Sequence, residues 1–243
     1  MQHLLRRKKI TAFIAALLLS PALSFAQERY LNQENHDFKP FHFGINIGVN
    51  QSHYNFTHHP IFLQGDSVMV VESINSTGIN LSWMVNKKLN YHFDLRTFPL
   101  SLIFTEKAFQ YTLKYPNRPA GEDTVSIRKI QGITLAFPVQ IKFNSDRINN
   151  LRVYMMAGVK AEYDFAANKD TKSSNQLMKL NKLDYGVEAG LGFHFYFPVF
   201  VLTPELKVSW GLSNVHARDE SLKFSNVIDK INSRTITFSL TVE

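Results

Sequence analysis

What most restricts the fold of this chain is a period of two in its apolar residues, which recurs in eight segments. From Phe43 to Val49 the odd positions Phe43, Ile45, Ile47 and Val49 are apolar, with Gly44, Asn46 and Gly48 between them. The same parity returns at Ile79–Val85, from Tyr91 onward, at Ile133–Phe143, at Val153–Tyr163 and at Tyr185–Phe197. Pro204–Leu212 and Thr235–Glu243 complete the set. Alternation puts successive side chains on opposite faces of a strand, so each segment predicts a β-strand with one apolar and one polar face. The third runs from Tyr91 to Tyr111, and Pro99 within it predicts a bulge that resets the parity.

The N-terminus reads as a targeting segment. Arg6, Arg7, Lys8 and Lys9 precede the uncharged run Ile10–Leu19, which is too short for a membrane helix, and Ser24-Phe25-Ala26 fits a cleavage site. Residues 1–26 are therefore expected to be a signal peptide, with 27–41 a polar periplasmic lead-in and 42–243 the folded domain. The signal takes four basic residues and no acid with it, so the formal charge falls from +7 to +3. That balance gives no basis for nucleic-acid binding. With no cysteine, disulfides and thiolate metal sites are excluded.

A soluble sandwich also alternates, so connector lengths have to decide. Those after strands two, four and six are short (Asn86–Asn90, Asn144–Asn150, Pro198–Phe200). Those after strands one, three, five and seven are long and polar (Thr57–Ser73, Thr112–Asp123, Ala166–Lys182, Ser213–Ser233). An even strand count with short turns at one end and long loops at the other is the outer-membrane pattern. Trp83, Tyr91, Phe93, Phe143, Phe195 and Phe197 fall on the apolar face beside the short turns, where an aromatic girdle belongs. The fold class expected is an all-β, eight-stranded antiparallel transmembrane up-and-down β-barrel, exported to the outer membrane of a Gram-negative cell and in contact with its lipid.

In such a barrel the polar face points inward. Its charged residues are Asp94, Glu162, Glu188 and Glu205 against Arg96, Lys142, Lys160 and Lys207. An eight-stranded interior is only wide enough for side chains to fill it, and buried charges must pair. A closed structural charge network is the consequence, rather than a pore lined by one sign of charge. No Gly-x-Ser-x-Gly element, phosphate loop or His-Glu-x-x-His stretch is present, so no catalytic residue is expected. His53, His58, His59 and Asp66 near the first long loop do not supply convergent ligands, and neither a metal nor another cofactor is expected. Phe224, Val227, Ile228 and Ile231 in the fourth long loop are apolar residues that need cover, either from the barrel rim or from a partner protein.

Several stretches carry a family resemblance. Asp37-Phe38-Lys39-Pro40-Phe41-His42-Phe43-Gly44 and Phe137-Pro138-Val139-Gln140-Ile141-Lys142-Phe143 resemble the porin-like outer-membrane β-barrels of Bacteroidota. Asp184–Phe193, Pro204–Asn214 and Ile228–Arg234 resemble PorT-type proteins. That resemblance implies a place in type IX protein secretion, with gliding motility in some species. The chain would act there without catalysis, through contacts with other secretion-machinery proteins. The alternative is a small passive porin-like channel or a solute-binding barrel.

Overall fold

Each alternating segment becomes a strand, and the strands run past the segments that announced them. In chain order they are β1 (Phe41–His58), a short β2 (Val68–Ile74), β3 (Ser76–Lys88), β4 (Phe93–Leu113), β5 (Val125–Asn144) and β6 (Leu151–Asp164). There follow the two-residue β7 (Lys179–Leu180), β8 (Leu183–Tyr196), β9 (Val201–Gly211), the two-residue β10 (His216–Ala217) and β11 (Ile228–Val242). The computed structural model describes residues 30–58, 68–114, 124–165, 179–217 and 228–243. The expected signal segment lies outside these, as do His59, Asp66, Phe224 and Val227.

Around the wall the order is β1-β3-β4-β5-β6-β8-β9-β11, every pairing is antiparallel, and β11 pairs back onto β1. Eight staves therefore close a barrel with no free edge, so backbone donors and acceptors are satisfied within the wall. Asn32–Glu243 forms one unit that includes the barrel. Alternation alone assigns Val68–Ser73 to a connector. These residues instead form β2, which continues β3 beyond Asn75 and pairs with β4 as far as Val68↔Leu113.

Side-chain placement is the reverse of a soluble core. Along β1 the residues Phe43, Ile45, Ile47 and Val49 are exposed on the outer surface, while Asn46, Asn50 and Ser52 are buried inside. The girdle residues Trp83, Tyr91, Phe93, Phe143, Phe195 and Phe197 are likewise exposed. Water would penalise so continuous an apolar surface, and hydrocarbon does not.

Pro99 produces the expected bulge. Register slips between Thr97, opposite Val139, and Ser101, opposite Ala136, so β4 carries one extra residue there. Asp94, Arg96 and Phe98 point inward before it and Ser101 points inward after it, so the even-numbered inner face becomes odd. Pro99 and Pro138 both lack an N–H at this seam, and the Thr97 hydroxyl covers the Pro138 carbonyl at 2.9 Å.

The staves differ in length. At about 3.3 Å per residue and a tilt of roughly 40°, the 21 residues of β4 rise about 50 Å, twice the apolar band of an outer-membrane barrel. The 11 residues of β9 rise only about 28 Å. The long-loop rim is therefore higher on the β4–β5 side than on the β9 side.

Candidate functional site

The feature that bears most on function is the content of the lumen. All eight charged side chains singled out from the sequence lie on the inner face, and they meet as four acid–base pairs. Arg96 reaches Glu205 at 2.6 Å, Lys142 stands 3.7 Å from Asp94, Lys160 bonds Glu162 at 2.6 Å and Lys207 lies 3.5 Å from Glu188. Arg96 stands on β4 and Glu205 on β9, four staves apart in a ring of eight, so this pair spans the full width of the lumen.

Neighbours hold that crossing in place. The Arg96 guanidinium also donates to Gln140 Oε1 at 2.7 Å, to the Tyr154 hydroxyl at 3.3 Å and to the Met156 sulfur. Tyr154 donates its own hydroxyl to Glu205 at 2.6 Å, and Gln140 donates to Glu188. Arg96 and Gln140 are fully buried. Nearer the short turns, Asn86 and Asn144 both donate to Asp94, and His194 bridges Lys142 and the Thr203 hydroxyl. Gly192 makes room for this layer: a Cβ there would come within 2.4 Å of the Tyr154 ring.

Parity could have found Gln140, Tyr154 and His194, since all three occupy even positions of the alternating segments. They escape a search restricted to charge because Gln and Tyr are neutral and the buried His acts here as a hydrogen-bonding ring.

The lead-in contributes a second closure, at the short-turn end, for which the sequence has no periodic signal. Residues Asn32–Pro40 form a strap with a single 3-10 turn at His36–Phe38. Asp37 accepts a hydrogen bond from the Tyr196 hydroxyl at 2.6 Å and lies 3.4 Å from both Arg147 and Arg152. Burial alone would raise the Asp37 carboxyl. Hydrogen bonds from His36 and Tyr196, with the charges of Arg152 and Arg147, outweigh it and hold the group well below the usual carboxylate range. Asn32 donates to Asn150 and to the Tyr196 carbonyl, Gln33 donates to the Phe197 carbonyl, and Lys88 donates to the Asp37 carbonyl. The His36 ring stacks on His42 at 4.4 Å and lies 3.8 Å from the Glu243 carboxylate.

At the long-loop end the interior turns apolar. Tyr54, Val71, Phe109, Tyr111, Leu113, Val215, Ile228 and Ile231 form one buried cluster. Of the two covers open to Ile228 and Ile231, the barrel rim or a partner, the barrel itself supplies it, although these residues belong to a strand and not to a loop. Ile228 opens β11, a bulge opposite Thr57 and His58 turns it inward, and both isoleucines are fully buried. Between this cluster and the Arg96 layer lies a polar cavity of about 80 Å³, lined by Asn50, Asn80, Ser101, Lys160, Asp184 and Lys207 among others. It has room for several water molecules.

Of the loop histidines, His53 is committed to Asn75 at 2.9 Å. Among the described residues no group of three or more His, Asp or Glu could hold a metal ion.

Solved structures to which the chain is similar include outer-membrane barrels. Ail, the attachment invasion locus protein of Yersinia pestis, is 15% identical, with a TM-score of 0.37 over 82% of this chain and 96% of that one. OprG from Pseudomonas aeruginosa is 12% identical, with a TM-score of 0.43 over 82% of this chain and 93% of that one. No curated protein matches the sequence. The family model described as the outer membrane protein beta-barrel domain matches residues 25–217, and this chain, an outer-membrane protein, belongs to that family.

Proposed function

We propose that this chain is a non-enzymatic, non-conducting barrel that assists type IX protein secretion through contacts with other proteins of that machinery. The observation that carries the non-conducting part is the Arg96–Glu205 pair, which crosses the lumen with both side chains fully buried. The strap below and the apolar cluster above add two further closures. A barrel that passes nothing through its interior has its outer surface, loops and short-turn face left for function. The link to type IX secretion rests on the PorT-like stretches Asp184–Phe193, Pro204–Asn214 and Ile228–Arg234.

A deletion strain assayed for secreted cargo, with the tagged barrel used to co-purify partners, tests the secretion role. Loss of secreted cargo is expected, and unchanged secretion would overturn it. The competing reading, a small passive channel or solute-binding barrel, draws on the cavity of about 80 Å³. Planar-bilayer recording separates the two, because a stable open conductance from the purified full chain would favour the channel.

A further inference from the structure

On the outer face of β11 the apolar series Val242, Leu240, Phe238, Ile236 stops at Arg234. On β1 the series from Phe43 to Val49 gives way through Gln51 to His53. Register sets Arg234 directly opposite His53 on one side and Trp210 on the other. Directly paired residues on one face have Cβ atoms about 5 Å apart, so the three side chains share one patch. Trp210 is exposed near the outer end of the apolar series on its stave, with only Leu212 beyond it, where an indole can sit at headgroup level. One row further out Asn232 faces Asn55, and Lys230 faces Thr57 beyond it.

The patch lies on the long-loop side of the band, at the β1–β11 seam. Among the described residues neither the Arg234 nor the Lys230 side chain has a hydrogen-bond or ion-pair partner. His53 is oriented through Nδ1 by Asn75 at 2.9 Å, which leaves Nε2 available. Asp229 is the one acid on β11, and it adjoins Lys230 rather than Arg234. A guanidinium at the boundary of hydrocarbon with no partner among the described residues calls for an anion in the same plane. The anion available at that height is the phosphate of a lipid headgroup, and the planar Arg fork can take two of its oxygens at once.

We infer that Arg234, flanked in register by His53 and Trp210 and with Lys230 two rows further out, binds the phosphate of a phosphorylated lipid in the leaflet on the long-loop side. A basic residue near an anionic membrane surface strengthens binding by about 1 kcal/mol, or about fivefold. The full-length mature barrel, reconstituted in phosphatidylcholine nanodiscs doped with diphosphorylated lipid A, provides the test, with retained lipid counted by native mass spectrometry. Wild type should retain lipid A about fivefold more than Arg234→Gln, and should show no preference for dephosphorylated lipid A. Lys230→Gln should give a smaller loss in the same direction. A heat-dependent mobility shift on gels verifies folding of each variant, and Lys230→Gln serves as the test should Arg234→Gln fail to fold. Equal retention by wild type and a folded variant would overturn the inference, as would displacement of the lipid by inorganic phosphate at millimolar concentration.

Discussion

At the scale of single residues, the lumen illustrates how unevenly buried charge contributes to stability. Arg96 and Glu205 together are close to neutral against an apolar pair of similar size, but either one alone is a buried charge without its partner. Arg96→Met or Glu205→Met should therefore destabilise the barrel by about 3–5 kcal/mol in urea unfolding from lipid vesicles, and the double variant should recover most of that loss. If the double variant is as unstable as the sum of the singles, the pair is not the unit described above. Gly192→Ala gives an independent probe of the same layer. The added methyl would meet the Tyr154 ring and push its hydroxyl from Glu205, a cost of about 1–3 kcal/mol by the same unfolding measurement. These glycines are legible in the sequence only as gaps in the polar face. What each gap accommodates depends on the cross-strand neighbour, and register cannot be read from a single segment.

Elements were more legible than their ends. Ile79–Val85, Val153–Tyr163 and Tyr185–Phe197 became β3, β6 and β8 because membrane hydrocarbon outside and charge inside enforce strict alternation. Where the wall leaves the band that pressure lapses. This is why β2 and the first residues of β11 were not legible: Val71 and Ile228 face an apolar cluster, so both faces of the strand carry apolar residues. The strap was invisible for a different reason. Asp37 is held by partners from β6, β8 and the turn at Arg147, all more than a hundred residues away. Its titration makes a prediction for this element. With the folded value depressed, the contribution of Asp37 is complete above the unfolded value of 3.8 and is lost as pH falls below that toward the folded value. Pepsin digestion of residues 32–40 should therefore stay slow at pH 4 and accelerate only as the pH is lowered further. Release already complete at pH 5 would contradict the geometry, and Asp37→Asn should make cleavage fast throughout.

On the scale of the molecule, the barrel separates two solvents with opposite demands. A cation placed at the outer midplane, as in Ile45→Arg, should cost about 2–4 kcal/mol in folding from vesicles. Gln51→Arg, just beyond the apolar band on the same stave, should cost less than about 1 kcal/mol. Equal costs would mean that no hydrocarbon surrounds the wall. The strap also has a consequence for assembly. Its seat draws Lys88 from β3, Arg152 from β6, Tyr196 from β8 and the final residue, Glu243. That seat is drawn from staves on both sides of the lumen, so the N-terminal segment completes its contacts only when β3, β6, β8 and the end of β11 stand together. Docking thus acts as a latch, and a chain whose staves have not yet assembled would leave those nine residues open to proteolysis.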